Sequence, residues 1–318
     1  MEFFILLLTM IPILVRLPNW VGDVIMSLPA LEALHAIGFE LHLLGKPWIH
    51  DLLAAFPAKI YLLPRGRNAM IPTIRLIRSI PAKHAIILPN SFNTAFSLFC
   101  GGKKIVGYGG NWRSWLIHHK LAKNKGIHEV EYFWKVSQHA ANILAPKASW
   151  PHSIPRSIHL PISTQGIDES IHILAQNNIH MPYIVLCPFA TGQTKQGESK
   201  IWPYWSDLCQ QLTQKGFTCI VCPTKSEIDQ CATLVPQAHI LTKVGLNTYA
   251  AIMRSSQCVI ANDSGPMHIA AAVGAPTLGI FGTSDPSRTF PWGGQHIGKQ
   301  GQWPSIDQVL DTFYTLQL

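Results

Sequence analysis

Apolar residues along this chain fall into short runs separated by polar turns, and the runs alternate between the two-residue period of a strand and the helical period. Ile13 to Arg16, Glu40 to Leu44, Ile60 to Leu63, Ala85 to Leu88 and Lys103 to Tyr108 read as strands. Between them Val24 to Ala36, Trp48 to Ala55, Ile71 to Ile80 and the stretch from Pro89-Asn90-Ser91 to Phe99 read as helices, with Leu17 to Asp23 the loop leaving the first strand. A second series runs through strand Tyr183 to Cys187, helix Trp205 to Lys215, strand Phe217 to Cys222, helix Ser226 to Leu234, a short strand at Ile240 and helix Asn247 to Ser255. Strands alternating with helices at this interval predict α/β domains, each a parallel sheet covered on both faces. Prolines at 146, 151, 155 and 161 mark a connection. The expected division is an N-terminal domain over 1–150, a linker over 151–165 and a C-terminal domain over 166–318. The last segment, from Ser305, is expected to be a helix packing back across the linker, and ligand is expected in a cleft between the domains.

The second series ends in Val259-Ile260-Ala261-Asn262-Asp263-Ser264-Gly265-Pro266-Met267-His268-Ile269-Ala270-Ala271-Ala272. This reads as a buried strand, a polar turn and a closely packed helix that Asp263 or Ser264 can cap. The free N–H groups and positive dipole end of such a helix suit a phosphate. The next strand, Pro276 to Phe281, ends in Gly282-Thr283-Ser284, a second polar turn at the same sheet edge. Two such turns side by side favour a site over a merely capped helix.

The 318 residues are 47% hydrophobic and 13% charged, which excludes a disordered or coiled-coil chain and supplies two cores. The net charge of +8 is unevenly placed. Residues 1–150 hold 16 Lys and Arg against 7 Asp and Glu, whereas 151–318 hold 9 against 10. The basic half is expected to face something anionic, or to be a solvated basic face. Seven scattered cysteines give no disulfide framework. Cys219 and Cys222 have C-x-x-C spacing, but residues three apart on a strand point to opposite faces, so they read as core thiols. Phe3 to Leu14 is too short to span a bilayer; translation is expected to begin at Met10, with residues 1–9 either a misassigned start or a loose extension.

Several residues could carry chemistry near the sheet edges. Asp23, after Gly22 at the end of the first strand, could be a general base or a helix cap. Lys200 follows a loop rich in Gly, Thr, Gln and Lys (Thr191 to Glu198) and could neutralise a phosphate or be a solvated loop lysine. Glu227 could accept both hydroxyls of a ribose or be a first-turn acid, and His268 could donate to a diphosphate or be a core histidine. There is no G-x-x-x-x-G-K-[ST] and no G-x-G-x-x-G after the first strand, which argues against an NTPase or a dinucleotide dehydrogenase. No RNA-binding signature accompanies Trp112-Arg113-Ser114-Trp115, so no nucleic-acid partner is expected.

Leu14-Val15-Arg16-Leu17-Pro18-Asn19-Trp20-Val21-Gly22-Asp23-Val24, Leu88-Pro89-Asn90-Ser91-Phe92, Ile105-Val106-Gly107-Tyr108, Lys200-Ile201-Trp202-Pro203 and Asn262-Asp263-Ser264-Gly265-Pro266-Met267-His268 together resemble the ADP-heptose:lipopolysaccharide heptosyltransferases of glycosyltransferase family 9, most closely the heptosyltransferase II branch. The resemblance implies a GT-B architecture, two Rossmann-like domains facing across a cleft, and an inverting, metal-independent transfer without a cofactor. The implied donor is ADP-heptose, and the implied acceptor the anionic inner core of lipopolysaccharide. By the same resemblance Asp23 is the base and Lys200 meets the donor phosphates. Thr191, Glu227, Asp263, Ser264, Gly265 and His268 would then bind the donor, and Asn19, Trp20, Gly22, Asn90 and Ser91 the acceptor side. The implied location is cytoplasmic, peripheral on the inner membrane, and the expected docking charges are Lys103, Lys104, Arg113, Arg75 and Arg78. A GT-B transferase with another nucleotide sugar, and a non-catalytic relative, are the alternatives.

Overall fold

The computed structural model describes residues 10–124, 126–190, 197 and 199–316. Its elements run β1 (Ile11–Arg16), α1 (Val21–Ala36), β2 (Phe39–Gly45), α2 (Ile49–Leu52), β3 (Lys59–Leu62), α3 (Met70–Ser79), β4 (His84–Ile87), α4 (Phe92–Cys100), β5 (Lys104–Tyr108), a 3-10 helix (Asn111–Leu116), β6 (His119–Leu121) and α5 (Glu129–Leu144). They continue as α6 (Thr164–Gln176), β7 (Tyr183–Cys187), α7 (Trp205–Gln214), β8 (Thr218–Val221), α8 (Ile228–Leu234), β9 (His239–Ile240), α9 (Leu246–Arg254), β10 (Cys258–Asn262), α10 (Gly265–Ala272), β11 (Thr277–Ile280), α11 (Pro286–Thr289), β12 (Gln295–Ile297) and α12 (Ile306–Leu316). Two six-stranded sheets result, ordered β3-β2-β1-β4-β5-β6 and β12-β11-β10-β7-β8-β9. The strand pairs are parallel, with Val15 opposite Leu43 and Ile86, and Ile260 opposite Leu186 and Leu278. Strands buried on both faces need apolar residues throughout, and Ile13, Leu14 and Val15 of β1, like Val259, Ile260 and Ala261 of β10, have no exposed surface.

The expected α/β alternation is present in both halves. By packing, the chain divides into one unit comprising the residues up to Asn19, Ser27–His50 and Pro57–Ile154, and a second comprising Trp20–Met26, Asp51–Phe56 and Pro155 onward. Two short N-terminal segments, Trp20–Met26 and Asp51–Phe56, thus count with the second unit. The C-terminal helix, expected to pack across the linker, lays Val309, Leu310 and Phe313 into the core of the second sheet beside Leu208, Leu212 and Phe217.

Three expectations change in a way that matters for the site. Helix α1 begins at Val21 rather than Val24, because Val24 N–H already donates to the Trp20 carbonyl at 3.1 Å. Gly22 and Asp23 therefore sit in a helical first turn instead of a loop. Helix α5 adds to the expected elements; the His128 imidazole caps it by accepting from Val130 N–H at 3.2 Å. So does α6, where Ser163 accepts from Gly166 N–H at 3.0 Å and donates to Asn247 Oδ1 at 2.8 Å. Cys219 lies in the second core, and the cysteines are free thiols.

Candidate active site

Each sheet reverses its winding once, between β1 and β4 in the first and between β7 and β10 in the second. Open α/β sheets bind ligands at such points, beyond the carboxyl ends of the strands. In the second sheet the residue after β10 is Asp263, and the loop after β7 leads to Lys200. Lys200 Nζ donates to Asp263 Oδ2 at 2.6 Å, an ion pair whose side chains are 23% and 7% exposed. Ser284 Oγ donates to the same oxygen at 2.6 Å, and Thr289 Oγ1 to Oδ1 at 3.3 Å. The two polar turns thus meet as expected, but the job assigned to Asp263 is corrected: with both oxygens engaged it does not cap α10.

Asn262 explains how Lys200 arrives there. Its side chain is fully buried, and Oδ1 accepts from Trp202 N–H at 3.1 Å and from Trp205 Nε1 at 3.2 Å. Its Nδ2 donates to the Pro188 carbonyl. One amide therefore ties the end of β10 to both ends of the loop that carries Lys200. Trp202, also fully buried, is pinned by Nε1 to the Pro304 carbonyl at 3.0 Å.

Ser264 occupies the N-cap position of α10 without a side-chain capping bond, and its Oγ is inaccessible to solvent with no hydrogen-bond partner among the described residues. A helix start whose N–H groups lack a side-chain cap, beside an unsatisfied hydroxyl, suits an anion. The start of α1 approaches it closely. A Cβ on Gly22 would stand 2.6 Å from His268 Cδ2, too close unless the imidazole shifts, and one on Gly265 would stand 3.0 Å from Val21 Cβ, a tight contact. His268 is buried at this contact, one turn into α10.

Two cavities of the second unit share Trp20, Gly22, Ser264 and Gly265. One, of about 310 Å³, is lined also by Asp23, Lys200, Asp263, His268 and Thr289. The other, of about 710 Å³, is predominantly apolar and carries Glu227 on its wall and Cys187, Cys222 and Tyr249 among its lining residues. Cys187 Sγ and the Tyr249 hydroxyl lie 3.0 Å apart. Burial pushes the Cys187 thiol up to about 12 and the Cys222 and Tyr249 groups well above their ordinary values, so these three groups keep their protons at neutral pH. Glu227 Oε2 accepts from Thr224 N–H at 2.8 Å, closing the turn before α8.

The structure thus brings Asp23, Lys200, Asp263, Ser264, Gly265, His268, Trp20 and Gly22 to one cavity and Glu227 to its neighbour. Thr191 lies outside the described residues. Asn19, Asn90 and Ser91 line neither cavity; they follow β1 and β4 at the switch point of the first sheet. Arg16 holds Asn19 by a 2.7 Å bond to Oδ1 and also donates to the Leu17 carbonyl, and its burial brings the guanidinium down to about 10. Asn90 donates to the Tyr132 hydroxyl at 2.8 Å and accepts from Arg113. Ser91 caps α4, accepting from Thr94 N–H at 3.3 Å. Asn262, Ser284, Thr289 and Arg16 were not singled out as site residues by sequence, although Ser284 was visible as part of the second turn.

Two of the charges expected to dock on an anionic partner are structural. Lys103 is buried and donates to the Ile80 carbonyl at 2.7 Å. Arg113 is buried and donates to the carbonyls of Pro89 at 2.9 Å and Tyr108 at 2.8 Å. Arg75, Arg78 and Lys104 remain on the surface.

The family model of glycosyltransferase family 9 (heptosyltransferase) matches residues 73–308. The chain belongs to glycosyltransferase family 9. It is therefore a transferase, and the two-sheet architecture is the GT-B type of α/β fold. It is 28% identical over 319 residues to lipooligosaccharide heptosyltransferase 2 of Haemophilus ducreyi, covering 90% of this chain and 87% of that one. It is 26% identical over 304 residues to lipopolysaccharide heptosyltransferase 2 of Escherichia coli K12, covering 88% and 85%. Among solved structures, the ADP-heptose lipopolysaccharide heptosyltransferase II of E. coli superposes with a TM-score of 0.77 at 21% identity, over 96% of this transferase and 98% of the other.

Proposed function

We propose that this transferase moves L-glycero-D-manno-heptose from ADP-heptose to the inner core of lipopolysaccharide, working cytoplasmically on the inner-membrane face. The observation that carries the reading is the convergence on one cavity of a carboxylate, Asp23, with a lysine, Lys200, and an uncapped helix N-terminus at Ser264. The adjoining apolar cavity, with Glu227 at its wall, suits an adenosine whose ribose hydroxyls meet the free carboxylate oxygen. The diphosphate would lie on Ser264, Gly265 and the first N–H groups of α10, at the lining shared by both cavities.

In this reading an acceptor hydroxyl attacks the anomeric carbon from the face opposite the diphosphate. Asp23 takes the hydroxyl proton as the new C–O bond forms. The bond from the anomeric carbon to the β-phosphate oxygen breaks, and its electron pair leaves with ADP, inverting the centre. Lys200 and the α10 N-terminus stabilise the charge that builds on the departing diphosphate, a role that elsewhere falls to a divalent cation. Asp263 holds Lys200 in place rather than acting on the sugar.

The test is transfer from ADP-heptose to a purified inner-core acceptor carrying one heptose, read by the mass of the product. The account expects a mass gain of one heptose and inhibition by ADP at concentrations where UDP does not compete. Tight ADP binding without transfer would remove the heptose donor or the acceptor from the account, and failure to bind ADP would remove the donor site itself.

A further inference from the structure

Between Asp51 and Glu129 the chain has no acidic residue and twelve Lys and Arg. Lys103 and Arg113 spend their charge inside the protein, and Lys59 pairs with Glu40 at 2.5 Å. Arg75, Arg78, Lys83 and Lys104 are exposed, with no carboxylate from their own stretch of chain to balance them.

The same stretch exposes an unusual amount of aromatic surface. On α4, Phe92, Phe96 and Phe99 follow at i, i+4 and i+7 and so share one helical face. Phe92 and Phe96 stack with ring centres 6.0 Å apart, and Phe92 and Phe99 are each more than two-fifths exposed. In a 3-10 helix residues i and i+3 eclipse, which puts Trp112 and Trp115 on one side, while Arg113 turns inward. Trp112 is 88% exposed and Trp115 63%. The two faces join where Phe99 meets Trp115 edge to face at 5.9 Å. Basic groups flank this ridge: the Arg78 guanidinium sits on the Cys100 carbonyl at 3.0 Å, at the end of α4, and Lys104 opens the adjacent strand.

Exposed aromatics grouped into a patch mark a contact surface rather than scattered surface residues. Tryptophan rings suit a boundary that is apolar on one side and wet on the other, and exposed cations without acids suit an anionic headgroup layer. We propose that the outer face of α4 and the neighbouring 3-10 helix is the surface by which this transferase sits on an anionic lipid bilayer, its tryptophans entering the headgroup boundary. The inference deepens the reading of a glycolipid acceptor and rests on it for purpose: Asn90 and Ser91, on the acceptor side, lead directly into Phe92, so the ridge starts beside the loop that such an acceptor would reach.

The test is sedimentation of the full chain with vesicles of phosphatidylcholine containing about 30% phosphatidylglycerol, against phosphatidylcholine alone, with neither donor nor acceptor present. The wild type is expected to sediment with the anionic vesicles only. Trp112→Ala combined with Trp115→Ala is expected to lower that partition by at least about tenfold, and Arg75→Gln combined with Lys104→Gln to lower it and weaken its salt dependence. An unchanged thermal transition in both variants keeps misfolding out of the result. Absence of wild-type binding to anionic vesicles, or wild-type binding by the tryptophan variant, overturns the inference. So does tryptophan quenching by a single-stranded oligoribonucleotide in a protein that ignores vesicles, which would make the ridge a nucleic-acid face. Because the vesicles contain no substrate, sedimentation and transfer can fail independently.

Discussion

Replacing Asn262 is the sharpest structural perturbation this site allows. The amide satisfies three otherwise buried groups, Trp202 N–H, Trp205 Nε1–H and the Pro188 carbonyl. Asn262→Ala orphans all three, at about 1–3 kcal/mol each, so the loss is at least about 3 kcal/mol, a large share of the total of about 5–15 kcal/mol that holds a typical protein. For a unit of this size that lowers its unfolding transition by roughly 6–12 °C. Asn262→Asp is more informative. Its carboxylate keeps the two bonds at Oδ1 but turns a second acceptor towards the Pro188 carbonyl, whereas its protonated form donates there. Burial against a carbonyl raises the folded pKa above the unfolded one, so the variant's stability is fully present below the unfolded value of about 3.9 and is lost as pH rises through the folded value. Calorimetry of wild type, Asn262→Ala and Asn262→Asp at acid and neutral pH reads all of this. An alanine variant within about 1 kcal/mol of wild type, or an aspartate variant whose deficit does not shrink on acidification, would refute the claim that this amide seats the Lys200 loop.

Lys200→Ala should weaken ADP binding by about tenfold or more, the worth of a hydrogen bond to a charged group, and Lys200→Arg should recover part of it; calorimetric titration with ADP decides, and affinity within about twofold of wild type speaks against a phosphate contact. Gly22→Ala drives a Cβ to 2.6 Å from His268 Cδ2, an overpacking of about 1–3 kcal/mol that thermal unfolding should register and that a second change, His268→Ala, should relieve. His42 in β2 is held by Tyr61 at 3.0 Å, and burial pulls its pKa below 6.5. The unfolded chain therefore binds the extra proton first, and stability falls as pH drops below about 6.5; His42→Gln should flatten that slope in urea unfolding between neutral and mildly acid pH, leaving the share of His84, His139 and His296, whose pKa values burial also lowers.

Much of this was legible because local pattern and tertiary role coincide. The run from Val259 to Ala272 combines an apolar strand with a small-residue helix, and it became β10 and α10 with the polar turn at the sheet edge. What local pattern could not show was pairing across the chain. Lys200 and Asp263 are 63 residues apart, so nothing in the local pattern showed that they pair with each other. Asn262 looked like the end of a strand because its three partners come from two distant segments. Arg113 and Lys103 read as surface charges because long side chains at strand and turn ends give no sign of whether they fold inward on carbonyls. The start of α5 was hidden because histidine is not a preferred cap residue, and that of α6 because Ser163 and Thr164 fall inside the proline-marked connection.

The central claim is that Asp23, brought to the cavity of Lys200 and Ser264, removes the acceptor proton. Its most direct measurement is single-turnover transfer from ADP-heptose by wild type and Asp23→Asn, with ADP affinity measured on both. The account predicts a rate loss of at least about a hundredfold with ADP binding unchanged. A variant that keeps more than about a tenth of the wild-type rate while binding ADP normally would contradict it.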